Sequence, residues 1–136
     1  MDGCKGRILL LDREKTVQEA TADVLEYIGY SVTCADNPRE AFRIHYEART
    51  CDSISFDAAI IDSEILKSKE DAATLSHIRQ MDQGIKIIVS SAYPMPGAFA
   101  NIQKLTIDGI IIKPYRIRSL EAVLKWLVTG RKAIRH

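Results

Sequence analysis

The sequence has few of the residues that mark specialised classes of protein. Only three of its 136 residues are cysteines, and Cys4, Cys34 and Cys51 form no CxxC or CxH pair. Three widely spaced thiols fit neither a disulfide framework nor a zinc site, so we expect a reducing, cytoplasmic location. The longest apolar runs are four residues. Runs this short predict neither a secretory signal nor a membrane-spanning helix.

The chain also has little excess charge of either sign. Nineteen Lys+Arg oppose 18 Asp+Glu, and the formal net charge is +1. Charge over the whole chain therefore does not favour nucleic acid or a membrane as partner. Seven glycines and four prolines exclude a fibrous or low-complexity protein. The length predicts a single domain over 1–136, with a core over about 6–129 and a basic, solvated tail over 130–136.

Apolar periodicity predicts five strands that alternate with five helices. The strands are expected at about 7–11, 31–35, 56–61, 85–89 and 109–112. Gly29 is expected to end the first helix, Asn37 and Pro38 to begin the second, and about Glu70 the third. The first helix carries its apolar stripe on Val17, Ala20, Val24, Leu25 and Ile28. Prolines within 93–97 predict a break and a short fourth helix.

Strands that alternate with helices, and that are apolar on both faces, predict an α/β fold with a parallel sheet. In such sheets ligands bind at the carboxyl ends of the strands. Strands one, three, four and five are followed or ended by Asp12, Asp62, Ser91 and Lys113. We therefore expect these four reactive side chains to meet at one edge of the sheet.

This set of side chains suits phosphoryl transfer to a carboxylate. Asp62 would be the nucleophile, because an aspartate accepts a phosphoryl group when cations and donors stabilise its oxygens. Lys113 would supply a fixed positive charge, and Ser91 a hydroxyl donor. Asp12 would hold a divalent cation, for which Mg2+ with retained waters is the expected choice.

The four motifs "ILLLDRE", "AAIIDSEIL", "KIIVSSA" and "GIIIKPY" resemble those of the receiver domain of two-component response regulators. The resemblance implies a flavodoxin-like, doubly wound five-stranded sheet of order 2-1-3-4-5 with five helices. It implies a bacterial, stand-alone phosphoacceptor and no enzyme beyond self-catalysed phosphotransfer and dephosphorylation. A sensor histidine kinase or phosphotransfer protein would phosphorylate Asp62, with Asp12, Asp62 and the Glu64 backbone carbonyl as metal ligands. An unknown downstream protein, or a second copy bound through helix four, strand five and helix five, would receive the signal.

The sequence departs from that family at the metal site. Receivers normally carry two adjacent acids after strand one, and Arg13 stands at the second position. Asp12, Arg13, Asp62 and Lys113 sum to a formal charge of 0, so weaker Mg2+ binding is expected. Glu14, a further candidate metal ligand, and the Glu64 side chain could restore negative charge. Alternatively, the Arg13 side chain points away from the pocket.

Other departures affect the loops and the output. Leu66 stands where receivers usually have a proline, and Ile110 where they often have a Tyr or Phe that reports the switch. Two functions stay open, a phosphorylatable receiver and a pseudo-receiver that binds partners without phosphate. A phosphatase or hydrolase would need a DxD pattern that "DSE" only loosely imitates, and a flavin module would need a Ser/Thr-rich loop after strand one.

Histidines and the single tryptophan have simpler interpretations. His45 and His77 have no spaced partner, so they are expected at the surface or boundary and not as metal ligands. Trp126 lies roughly 100° off the Leu120, Leu124 and Leu127 stripe of the last helix, which leaves two alternatives, an exposed contact position or partial burial.

Overall fold

A computed structural model of the chain describes residues 4–92 and 107–129. The β-strands are β1 (Arg7–Leu11), β2 (Ser31–Ala35), β3 (Ala58–Asp62), β4 (Lys86–Ser91) and β5 (Gly109–Ile112). The α-helices of the described ranges are α1 (Lys15–Tyr27), α2 (Pro38–Cys51), α3 (Lys69–Met81) and α4 (Ile117–Leu124). A 3-10 helix, Ile65–Lys67, precedes α3, and a π-helix, Lys125–Thr129, continues α4.

All five strands form one parallel sheet in the order β2-β1-β3-β4-β5, which confirms the predicted order. In register, Leu11 pairs with Ile61, and Asp62 pairs with Ser90. Because the strands run in the same direction, their carboxyl ends meet at one edge. The sheet thus brings the chain segments after β1, β3 and β5 together.

The apolar strands are explained by helices on both faces of the sheet. Successive side chains of a strand point to opposite faces, so a strand covered on both sides needs apolar residues at every position. Leu9 and Leu11 of β1 pack in one core with residues of α2 and α3. Ile8 and Leu10 pack in a second core with residues of α1 and α4. The run from Ile8 to Leu11 is buried throughout for this reason.

Capping side chains set the helix starts near their predicted positions. Asn37 Oδ1 accepts a hydrogen bond from Glu40 N at 2.8 Å, and Glu40 Oε1 accepts one from Asp36 N at 2.7 Å. Together the two bonds fix the start of α2 in an arrangement similar to a capping box, except that Glu40 bonds the residue before the N-cap. Ser68 caps α3, which begins at Lys69, one residue before the predicted start. Gly29 ends α1 in the left-handed region with φ +111°, where glycine is favoured.

The structure differs from the sequence-based expectation at several places. β3 begins at Ala58 instead of Phe56, although Phe56 is buried in the core just before the ladder starts. In α1, Gln18 and Thr21 are buried, whereas Ala20 is exposed. Apolar periodicity did not predict the burial of these two polar residues, because it considers only apolar side chains. A polar side chain can also be buried when its hydrogen bonds are satisfied within the protein.

His45 corrects another expectation, since it lies in the interior and not at the surface or boundary. Its side chain is fully buried and stacks on Phe56, and its Nε2 lies 2.9 Å from Asp82 Oδ2. The hydrogen bond joins α2 to the residue that ends α3. A buried polar group with a carboxylate partner is compatible with the core, so His45 takes a structural position.

Two further predictions fall on other parts of the chain. The proline break and short fourth helix, within 93–106, and the basic tail, 130–136, lie outside the described residues.

Trp126 is 73% exposed, as expected for an exposed contact position. Within 4–92 and 107–129, no helix has the length and apolar character needed to cross a membrane.

Candidate functional site

Three of the four predicted side chains meet at the carboxyl edge of the sheet. Asp12 follows β1, Asp62 ends β3 and Lys113 follows β5. Lys113 Nζ lies 3.0 Å from Asp12 Oδ2 and 3.3 Å from Asp62 Oδ1. The Asp12 and Asp62 residues are only 3% and 7% exposed. One ammonium therefore bridges two buried carboxylates.

Ser91 ends β4 beside this cluster and is also buried. Its carbonyl oxygen accepts a hydrogen bond from Lys113 N at 2.6 Å, so the β4–β5 pairing fixes the backbone of Lys113. The register, however, pairs Asp62 with Ser90 and not with Ser91. Alternation along a strand then gives Ser90 and Asp62 the same face of the sheet. Ser90 is thus a second buried hydroxyl at this edge, which sequence reasoning missed.

The backbone around Asp12 is held by Gln18, another residue that the sequence did not reveal. Gln18 is buried, and its Nε2 donates to Asp12 O at 3.3 Å and to Ala35 O at 2.9 Å. These bonds tie α1 to the carboxyl ends of β1 and β2. Asp12 Oδ1 also accepts a bond from Glu14 N at 3.0 Å. In the sequence, the position of this glutamine next to the apolar stripe of the first helix was the only indication that it could be buried and hold the backbone.

The loop after Asp62 begins with a turn stabilised by the sheet. Ser63 N donates to Ser90 O at 2.8 Å, which extends the β3–β4 ladder by one bond. Glu64 N lies 3.5 Å from Asp62 Oδ1, at the long limit of a hydrogen bond. Leu66, where a proline is usual in receivers, is fully buried in the core. The apolar contact of Leu66 therefore anchors this loop.

Burial and charge act in opposite directions on the site's ionisable groups. Burial raises the pKa of Asp62, and the nearby Asp12 carboxylate adds to this rise, which the attraction of Lys113 only partly offsets. Burial lowers the pKa of Lys113, but the hydrogen bond to Asp12 and the charge of Asp62 outweigh burial, and the net shift is upward. Lys113 therefore stays charged, whereas ionised Asp62 is destabilised by its surroundings.

The other charged candidates lie around the site. Arg13, Glu14 and Glu64 are exposed. Glu64 Oε1 lies 3.0 Å from Lys67 Nζ, so this carboxylate already has a cationic partner. Within the described ranges, Arg13 forms no salt bridge with Asp12 or Asp62. The exposed position agrees with the alternative in which the Arg13 side chain points away.

The residues present meet the minimum requirement for Mg2+. Mg2+ commonly uses one or two protein carboxylates and keeps several waters, and Asp12 and Asp62 supply two. No cluster of three or more His, Cys, Asp or Glu side chains suited to a metal occurs in 4–92 or 107–129. Asp12, Asp62 and Lys113 together carry a formal charge of −1. The chemistry of the donors therefore fits Mg2+, with one carboxylate fewer than the usual receiver pocket.

Comparison with known proteins supports the same interpretation. The model of the response regulator receiver domain family matches residues 8–125. Comparison with curated protein sequences yields no significant match.

Solved structures share the fold at low sequence identity. The chain is similar to a CheY-like receiver domain protein of Methanospirillum hungatei, with 22% identity, a TM-score of 0.75, and coverage of 94% of this chain and 97% of that chain. It is similar to the chemotaxis protein CheY4 of Vibrio cholerae, with 20% identity, a TM-score of 0.74, and coverage of 90% and 98%. It is also similar to a response regulator of Thermotoga maritima, with 23% identity, a TM-score of 0.72, and coverage of 91% of this chain and 98% of that chain. These structures support the fold, and the family match over 8–125 covers most of the chain. The chain belongs to the response regulator receiver domain family.

Proposed function

We propose that this receiver domain accepts a phosphoryl group on Asp62 from a phosphorylated histidine of a sensor kinase or phosphotransfer protein. The observation that carries the proposal is the position of Lys113 Nζ, 3.3 Å from Asp62 and 3.0 Å from Asp12. A fixed ammonium beside a carboxylate nucleophile can stabilise the negative oxygens of an incoming phosphoryl group. Transfer of this kind depends mainly on such positioning and charge.

The proposed step is a displacement at phosphorus. A carboxylate oxygen of Asp62 forms a bond to phosphorus while the phosphorus–nitrogen bond of the donor histidine breaks and nitrogen keeps the electron pair. Lys113 contacts the phosphoryl oxygens, and the Ser91 hydroxyl turns towards them. Burial and the Asp12 charge disfavour the ionised form of Asp62, which is the form that attacks phosphorus, and the charge of Lys113 favours it.

Mg2+ is proposed as a cofactor of reduced affinity. Asp12, Asp62 and the backbone carbonyl of Glu64 would hold it, with Glu14 as a further candidate. When bound, it would neutralise phosphoryl charge. The missing third carboxylate and the salt bridges of Lys113 to both aspartates support weak binding, since Lys113 already neutralises part of the pocket.

The output is proposed to pass through a protein-interaction surface near β5 and α4. Ile110, Ile112 and Ile117 are 42%, 49% and 47% exposed on these elements. Large apolar side chains in contact with water favour a partner or dimer surface. Ile110 has no polar tip, so we propose a change of position or order in place of an aromatic flip. We also propose a cytoplasmic setting, which the free thiols of Cys4, Cys34 and Cys51 support.

Mass spectrometry after incubation with acetyl phosphate tests the central proposal. The wild-type chain should gain one phosphoryl group, more rapidly with Mg2+ than with a chelator, and Asp62→Asn should gain none. Asp57→Asn is a less suitable control because Asp57 binds Arg7 N. Asp23→Asn, an exposed site on α1, is a matched control that should be labelled like the wild type. Labelling of Asp62→Asn at the wild-type rate would refute Asp62 as acceptor.

A second candidate function is a pseudo-receiver that binds its partner without phosphate. Arg13 in place of the second acid, and the lack of a three-carboxylate cluster among the described residues, favour it. This protein would show no labelling with any donor, while partner binding would be equal for wild type and Asp62→Asn. The acetyl phosphate experiment therefore separates the two functions.

A further inference from the structure

A groove at the opposite edge of the sheet from Asp62 is unexplained by phosphoryl transfer. Lys5 precedes β1 and Tyr30 precedes β2, so both lie at the amino ends of their strands. With residues of α4 and its π-helical extension, they line a groove of about 540 Å3, within the size range of ligand sites. The complete lining, which we call the basic groove, is Lys5, Tyr30, Arg118, Glu121, Ala122 and Lys125.

The basic groove carries more positive charge than the whole chain. Three basic side chains and one acidic side chain give it a formal charge of +2, against +1 for the protein. Lys5 and Glu121 form one exposed pair at 4.0 Å, a separation at which surface pairs contribute little. Arg118 and Lys125 have no ion-pair partner within 4–92 and 107–129. Two cations are thus available to a ligand.

The spacing of these two cations suits an extended acidic peptide. Arg118 and Lys125 are seven residues apart along one helical segment, which corresponds to a rise of about 10 Å. In a peptide with polyproline II conformation, which has three residues per turn and rises about 3.1 Å per residue, side chains three residues apart lie on one face and are separated by about 9 Å. Two acidic residues at that spacing can therefore each reach one cation. Arg118 offers a planar fork that matches a carboxylate, and Lys125 offers a point charge.

The remaining lining favours a peptide over a small polyphosphate. Glu121 lies in the groove and would repel a compact anion, whereas a peptide can present a backbone N–H or a basic side chain there. Ala122 is small and leaves room for peptide backbone atoms, whereas Tyr30 is buried and contributes only a small part of the groove wall. Trp126 follows Lys125 in the chain, outside the groove lining, and is 73% exposed; tryptophan is enriched among the residues that contribute most to binding energy in interfaces.

We propose that the basic groove docks an acidic segment of a partner protein in polyproline II conformation, with acidic residues three positions apart. This site is separate from the phosphoacceptor edge and does not depend on phosphorylation of Asp62. Its occupant would meet Arg118 and Lys125 with carboxylates and would place its backbone against Ala122.

The test uses the full chain, a capped peptide Glu-Gly-Ser-Glu-Gly-Ser-Glu, and amide chemical-shift mapping by NMR. Addition of the peptide should shift the amides of Tyr30, Glu121 and Lys125. Arg118→Glu should weaken binding roughly tenfold or more, as expected for reversal of a charge-assisted contact. Arg39→Glu, an exposed site on α2, should change the affinity less than about twofold because α2 covers the other face of the sheet.

Three results would overturn the proposal. One is the absence of peptide-dependent shifts at the groove, and another is equal weakening by Arg118→Glu and Arg39→Glu. The third is equal or tighter binding of inorganic pyrophosphate or of the matching glutamine peptide, which would assign the groove to small anions or to nonspecific contact. Retained dispersion of the Arg118→Glu spectrum shows that the variant is folded. The same assay on Asp62→Asn should match the wild type, so failure of the phosphoacceptor proposal leaves this test intact.

Discussion

Lys113 Nζ lies 3.3 Å from Asp62 Oδ1, although the two residues are 51 positions apart in the chain. The neighbouring positions of β3, β4 and β5 in the sheet create this contact. The same ammonium binds Asp12, so the two carboxylates share one cation. Burial and the Asp12 charge leave Asp62 with a raised pKa despite this salt bridge. The ionised form of Asp62 is therefore unfavourable in the folded state.

Asp62→Asn should stabilise the protein at neutral pH while abolishing phosphorylation. The pKa of the Asp62 carboxyl group is higher in the folded protein than its ordinary value of 3.8. Such a group has no effect on stability well below pH 3.8, and it destabilises the fold increasingly as the pH rises through the folded-state pKa. The amide removes that charge, and we expect a gain of about 1 kcal/mol in unfolding free energy at pH 7. The gain should disappear below the ordinary aspartate pKa. Urea denaturation at both pH values measures it, with Asp23→Asn as control. A gain equal at both pH values would contradict the electrostatic cause.

Arg13→Asp should increase Mg2+ affinity roughly tenfold, because it replaces a positive charge near two carboxylates by a negative one. Isothermal calorimetry of the two proteins at the same ionic strength measures the difference. Arg39→Asp makes the same charge change on α2 and should leave the affinity nearly unchanged. Equal Mg2+ affinities for wild type and Arg13→Asp would show that position 13 lies outside the influence of the metal site.

Much of the fold could be predicted because its signals are local. β2 and β5 have their predicted bounds, and the change from apolar residues to Asp12, Asp62 and Lys113 marks where strands end. A parallel sheet then brings those ends to one edge, whatever the separation in sequence. The meeting of Asp12, Asp62 and Lys113 follows from these two features together.

The parts that could not be predicted involve buried polar residues with distant partners. Gln18 donates to Ala35, which is 17 positions away, and His45 binds Asp82, which is 37 positions away. Neither partner has a periodic relation to the helix that carries the donor. The role of Ser90 depends on the β3–β4 register, which the apolar pattern of these strands leaves open since both faces are buried.

Gln18→Leu should destabilise the protein by about 1–3 kcal/mol. The substitution keeps the approximate volume but leaves the carbonyls of Asp12 and Ala35 without their buried donor. Urea denaturation gives the free energy, and Glu19→Leu at the neighbouring exposed position provides the comparison. Similar stability of Gln18→Leu and wild type would show that water replaces the amide without cost.

Ser91→Ala and Ser90→Ala form the most informative pair for the phosphoacceptor site. Both serines are buried at the end of β4, but the proposed function assigns the phosphoryl contact to Ser91, whereas the register gives Ser90 the face of Asp62. Loss of a hydroxyl that donates to a charged oxygen costs about 1.5–3 kcal/mol, or roughly a tenfold to hundredfold change in affinity. Titration with beryllofluoride, a phosphoryl mimic, measures this change.

If Ser91 makes the contact, Ser91→Ala should bind beryllofluoride roughly tenfold to hundredfold more weakly than wild type. The beryllofluoride affinity of Ser90→Ala should stay within about threefold of wild type, the range expected from packing changes alone. For that outcome the Ser91 hydroxyl must turn across the strand end when the mimic binds, while its carbonyl keeps the bond from Lys113 N. If Ser90→Ala loses more affinity than Ser91→Ala, the contact belongs to Ser90. In that case the hydroxyl that β4 already presents on the face of Asp62 is the donor, and Ser91 does not need to rearrange. Equal small effects would leave Lys113 as the main phosphoryl contact and would contradict a serine-based switch.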